Sequence, residues 1–120
     1  MLGKTLVLGA SEALHRYSNL ATKLLLKKGI DLLLVGKSAG LIDGHAIVRE
    51  WPKDEEIDTI TMYLAPHNQV NYYQSILDSK ARRIIFNPGT ENSELASLAR
   101  EKGIFTEKAC TLVLLNTNQY

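Results

Sequence analysis

The chain has 120 residues, 14 Lys and Arg against 13 Asp and Glu, and a formal net charge of +1. This length predicts one domain over residues 1–120 with chain enough for its own core, and the near-zero charge excludes the broad basic footprint of a nucleic-acid binder or a membrane-surface protein. A single cysteine, Cys110, excludes an internal disulfide and a thiolate-rich metal site, and no stretch approaches the ~20 apolar residues of a membrane span, so a cytoplasmic protein is expected.

The opening run from Met1 to Gly9 is too short for a signal-peptide core. Within it, Thr5-Leu6-Val7-Leu8 reads as a buried parallel strand. Tyr17, Leu20, Ala21, Leu24 and Leu25 then recur at helical spacing, and Gly29 is placed to stop that helix. Leu32 to Val35 is a second apolar run, ending at Gly36. The segment Lys37 to Asp58 is the least regular; it predicts one short edge strand at His45 to Val48 and a solvated helix start at Asp54-Glu55-Glu56. Thr59 to Leu64, rich in β-branched residues, reads as a third strand, ended by Pro66. Val70, Tyr73, Ile76 and Leu77 form a second helical stripe. Arg82 to Phe86 is a fourth strand, its basic pair expected at a solvated edge. A third helix carries Leu95, Leu98 and Ala99, with Asn92 or Ser93 as N-cap and Gly103 as its stop. Ile104 to Thr106 is a fifth strand. The tail Cys110 to Leu115 is apolar, and its periodicity does not separate helix from strand.

This alternation predicts an α/β fold: a Rossmann-like open parallel five-stranded sheet with helices on both faces, a three-layer αβα arrangement. Ligands of such sheets bind beyond the carboxyl ends of the strands, where the strand order reverses. The informative residues are therefore those following each strand: Gly9-Ala10-Ser11, Gly36-Lys37-Ser38, Ala65-Pro66-His67-Asn68 and Asn87-Pro88-Gly89-Thr90. Gly9 permits a tight turn, Ser11 offers a hydroxyl, and the helix beginning near Tyr17 offers unpaired amides and a positive dipole end to an anion. Arg16 and Ser18 stand at its start, where a guanidinium suits a phosphate. The dinucleotide fingerprint with three glycines is absent. The acid that holds an NAD ribose is absent too, and Gly36-Lys37-Ser38 takes its place. A lysine there favours a phosphorylated ribose, as in coenzyme A (CoA) or NADP.

Gly9-Ala10-Ser11, Arg16-Tyr17-Ser18-Asn19, Asn87-Pro88-Gly89-Thr90-Glu91-Asn92 and Ala109-Cys110-Thr111 together resemble the small stand-alone CoA-binding domain proteins. These are similar to the N-terminal CoA-binding domain of the succinyl-CoA synthetase α subunit. The resemblance implies that Gly9, Ala10, Ser11, Arg16, Tyr17 and Ser18 hold the diphosphate. It implies that Lys37, beside Gly36, lies near the ribose phosphate or adenine, and that Ala65 and Pro66 line the adenine or pantetheine path. Asn87, Pro88, Gly89 and Cys110 are then expected toward the pantetheine thiol.

No catalytic or metal constellation accompanies these residues. His15, His45 and His67 lack a helical ligand spacing. Cys110 has no base beside it in sequence, although a mixed disulfide with the thiol of CoA is one role open to it. The expected function is a non-catalytic carrier, sensor or accessory module binding CoA or an acyl-CoA. A small NADP-linked oxidoreductase or other nucleotide-binding enzyme is the alternative. Leu112 to Leu115 suits either a homodimer seam or packing against the chain's own sheet.

Overall fold

A computed structural model of the chain describes residues 3–120; Met1 and Leu2 of the opening run lie outside the described residues. Its strands are β1 (Lys4–Leu8), β2 (Leu32–Val35), β3 (Gly40–Ile42), β4 (His45–Val48), β5 (Ile57–Met62), β6 (Arg83–Phe86) and β7 (Phe105–Lys108). The helices are α1 (Tyr17–Lys27), α2 (Pro66–Gln69), α3 (Tyr73–Asp78), α4 (Ser93–Glu101) and α5 (Thr111–Asn116), with a single 3-10 turn joining α2 to α3. The strands form one sheet in the order β3-β4-β2-β1-β5-β6-β7.

The expected five-stranded parallel core is present as β2-β1-β5-β6-β7. The sheet has seven strands because β4 extends it in parallel and β3 returns antiparallel to β4. The edge strand at His45 to Val48 was predicted; β3 was not, because three residues around Gly40 are too few to show alternation. The third strand runs from Ile57 to Met62, not from Thr59 to Leu64, which places Tyr63 and Leu64 beyond its end.

Both faces of the sheet are covered. Leu6, Leu8, Ile60, Met62, Ile84 and Phe86 pack with Ile76 of α3 and with Leu95 and Ala99 of α4. Val7, Leu34 and Ile47 pack with Leu25 of α1 and Leu115 of α5 on the other face. Parallel strands buried on both sides carry apolar residues at successive positions, as Leu6-Val7-Leu8 does.

Several local expectations change. Of the expected α1 stripe, Ala21 and Leu25 are buried, joined by Ser18, Asn19 and Thr22, while Tyr17 is 71% and Leu20 42% exposed. Tertiary contact has turned the helix so that small and polar residues meet the sheet. The second stripe is not one helix. Pro66 begins α2 at a position where its missing N–H costs nothing, and Val70 is exposed. Residues 54–56 form no helix; Asp54 adopts a φ of 59° in a turn. Arg83 is buried rather than solvated: its Nε donates to Thr59 Oγ1 at 3.0 Å, and its guanidinium lies 4.5 Å from the Tyr120 ring centre. The tail is helical, with Leu115 buried and Val113 exposed.

Candidate functional site

The loops after β1, β2, β5 and β6 enclose a cavity of about 500 Å³. It sits where the order reverses between β1 and its neighbours, the position expected for a ligand in an open α/β sheet. Eight of the fourteen sequence-predicted residues line it: Gly9, Ala10, Ser11, Arg16, Lys37, Ala65, Pro88 and Gly89.

The first turn is built differently from the simplest expectation. Gly9 has φ 103°, and a side chain there would bring Cβ to 3.0 Å from the Tyr63 backbone and 3.2 Å from Leu64. The glycine therefore serves the turn and its close packing on the end of β5. The amides of Gly9 and Ala10 both donate to the Val35 carbonyl, at 2.8 and 3.0 Å, and are not free for an anion. Among the described residues, no protein group accepts from the amides of Ser11, Glu12, Tyr17 or Ser18. Ser11 Oγ receives the Ala13 amide at 3.1 Å, which leaves its proton to give.

The starts of α1 and α4 differ sharply. In α4, Asn92 accepts from the Leu95 amide at 3.1 Å and caps the helix with the protein's own side chain. In α1, Arg16 occupies the cap position and no side chain closes the end. An uncapped eleven-residue helix presents partial positive charge to the cavity. Arg16 and Lys37 add two full charges, and among the described residues neither has an ion-pair partner. Desolvating an anion here replaces water with fixed donors, which suits a phosphate or diphosphate.

The remaining predicted residues lie outside the lining. Tyr17 is exposed, and Ser18 is buried against the fold. Pro66 begins α2. Gly36 is a packing glycine: a Cβ there would lie 2.3 Å from the Ala10 carbonyl. Its absence lets the second loop support the first. Asn87 directs all its bonds at the protein, donating to Thr61 Oγ1 and the Met62 carbonyl at 2.9 and 2.8 Å and accepting from the Thr111 amide at 2.8 Å. Cys110 is half-buried as the residue preceding α5.

Glu12, Ala13, Ser38, Tyr63, Leu64, Asn68 and Thr90, outside the expected set, complete the lining. Ser38, Asn68 and Thr90 follow strands, so their position was a signal; Tyr63 and Leu64 were hidden by the overlong third strand. Tyr63 lines the wall, and its hydroxyl is buried with no hydrogen-bond partner among the described residues. Burial pushes its pKa up to about 12, moderated by the nearby Thr111 and Thr61 hydroxyls, which bond each other at 2.7 Å. Behind the wall, Gln69 is fully buried and donates to the carbonyls of Leu64 and Thr90 at 2.9 and 2.8 Å. Its own oxygen receives Asn92 Nδ2 at 2.9 Å. One side chain thus ties two cavity loops to the cap of α4.

A doubly wound α/β sheet with a cationic cavity at its switch point defines the class of protein. Residues 3–116 match the CoA binding domain family. The chain belongs to that family. A crystal structure of an uncharacterized protein is similar at 42% identity and TM-score 0.95, covering 100% of this chain and 99% of that one. A hypothetical protein from Pyrococcus horikoshii OT3 is similar in fold, at 21% identity and TM-score 0.88, over 97% of this chain and 83% of that one. A conserved hypothetical protein from Pyrococcus furiosus is 27% identical, with TM-score 0.78, over 93% of this chain and 98% of that one. None of the curated proteins compared matches the chain. Among the described residues, no helix is long and apolar enough to cross a membrane, and no cluster of three or more metal-ligating side chains occurs.

Proposed function

We propose that this protein binds CoA or an acyl-CoA in the cavity between the loops after β1, β2, β5 and β6, and that it acts as a carrier, sensor or accessory module without chemistry of its own. The observation that carries this reading is the uncapped start of α1 beside Arg16 and Lys37, two cations in the lining that have no ion-pair partner among the described residues. Among the described residues, the amides of Ser11 and Glu12 in the lining have no protein acceptor and supply donors to a diphosphate, with the unpaired amides of Tyr17 and Ser18 at the start of α1 behind them. The family supports CoA as the nucleotide.

The non-catalytic part rests on the lining's chemistry. It contains no histidine and no cysteine among the described residues. Its one carboxylate, Glu12, is bonded to the Leu41 amide at 2.9 Å, and its one phenol, Tyr63, is held protonated by burial. No pair of groups is poised to pass a proton.

Titration calorimetry with CoA, acetyl-CoA, NADPH and NADH tests the reading. CoA and acetyl-CoA are expected to bind, and the nicotinamide nucleotides more weakly or not at all. Equal indifference to all four would remove the cofactor role; a preference for NADPH would favour the oxidoreductase alternative.

A further inference from the structure

Glu12 follows the phosphate-facing turn, yet its carboxylate is committed elsewhere. Its Oε2 accepts from the amide of Leu41 at 2.9 Å. Leu41 lies on β3, the edge strand of the sheet. The neighbouring Gly40 has no Cβ, and one placed there would stand 2.3 Å from Glu12 Cδ and 2.6 Å from its Oε1. The carboxyl group therefore sits where any other residue at position 40 would put its side chain. A charged acceptor and a strand amide 29 residues away are fitted to each other. Such charge-assisted bonds are among the stronger ones a surface provides.

The consequence concerns the loop between β2 and β3. Gly36 to Ala39 is anchored at one end by the sheet, where the Gly36 amide donates to the Val48 carbonyl at 3.0 Å. At the other end Glu12 holds Gly40 and Leu41. Lys37 and Ser38, both cavity-lining and exposed, lie between these two fixed points. We propose that Glu12 is a positioning residue: it pins the β3–β4 hairpin to the first turn and so fixes Lys37 for a second anionic group on the ligand, a phosphate on the ribose. This rests on the CoA reading for the identity of the ligand; the pin itself does not. A glutamate beside a phosphate site repels its ligand through space, so its place there is accounted for by the strand it holds.

The test compares the full chain with Glu12→Ala, Glu12→Gln and Lys37→Ala. Amide hydrogen exchange is read without ligand, and calorimetry uses CoA and 3′-dephospho-CoA. In Glu12→Ala, the Leu41 amide is expected to exchange about tenfold faster while β1 and β5 stay protected. The same variant is expected to lose most of the preference for CoA over its dephosphorylated form, as Lys37→Ala does. Glu12→Gln keeps an acceptor oxygen and is expected to restore both the protection and the preference, which a merely charge-based role would not allow. Unchanged Leu41 exchange in Glu12→Ala overturns the pin. Full preference in that variant despite a freed amide, or no preference in the unaltered protein, overturns the link to the ribose phosphate. If the unaltered protein binds neither nucleotide, the CoA reading fails while the exchange experiment still decides the pin.

Discussion

Replacing Asn87 by alanine tests whether the loop after β6 is held by one carboxamide. Asn87 is 2% exposed, and its side chain joins three elements: Thr61 and Met62 of β5, the start of β6's own loop, and the Thr111 amide that opens α5. Alanine removes all three bonds. The Thr111 amide has a single proton to give and is stranded outright, at about 1–3 kcal/mol. The Met62 carbonyl and Thr61 hydroxyl lose one partner each, and the vacated volume adds a smaller cost. The sum is about 2–4 kcal/mol, a large share of the ~5–15 kcal/mol that holds a typical domain. Urea unfolding followed by circular dichroism measures it. Asn87→Asp sharpens the test. Its carboxylate still accepts from Thr111 but turns an oxygen toward the Met62 carbonyl, so burial and that carbonyl raise its folded-state pKa. A raised carboxyl pKa gives stability that is present at low pH and lost as pH rises through the folded value. The aspartate variant should therefore be weak at pH 7 and approach the unaltered protein as pH falls toward 4. An alanine variant within about 1 kcal/mol of the parent, or an aspartate variant whose deficit ignores pH, would refute the account.

Gly9→Ala is expected to cost about 2–4 kcal/mol in the same unfolding assay, from the positive φ and the contact with Tyr63; a loss below about 1 kcal/mol would show that the turn relaxes freely. Arg16→Ala and Lys37→Ala should each weaken CoA binding about tenfold at low salt, with less effect at high salt and an unchanged fold; calorimetry at two ionic strengths checks both. Tyr63 keeps its proton to about 12 in the folded state, against about 10 when unfolded. Its contribution is therefore intact below pH 10 and lost between 10 and 12. Tyr63→Phe should flatten the alkaline decline over that window and cost little at neutral pH, since the lost hydroxyl has no partner. An identical alkaline slope in the two proteins would remove Tyr63 as its source.

The parallel core was legible because buried strands write themselves as apolar runs, as Leu32 to Val35 and the Ile84-Ile85-Phe86 part of the strand expected at Arg82 to Phe86 do. Helix faces were less legible. The spacing of Tyr17, Leu20, Ala21, Leu24 and Leu25 suggested one stripe; Ala21 and Leu25 of it are buried, but contact with the sheet also takes Ser18, Asn19 and Thr22 and leaves Tyr17 and Leu20 exposed, and small polar residues do not announce burial. The edge hairpin was half visible: β4 showed a run, while β3 is held by an antiparallel partner and by Glu12, both distant in sequence from its own residues.

The site divides along the same line. The rule that ligands lie past strand ends points to the four loops that enclose the cavity, because it depends only on where strands stop. It could not say which atoms in each loop are free, since that is decided by bonds between loops. Gly9 and Ala10 look like the anion cradle, yet Val35 takes their amides. The first-turn donors left over in the lining belong to Ser11 and Glu12, and a main-chain amide is the same group whichever residue carries it. Asn87 and Gln69 make the complementary case. Both are polar residues near the cavity, and both spend their bonds holding its walls. A turn motif therefore shows where an anion can approach, while the hydrogen-bond ledger of the folded chain decides which groups receive it.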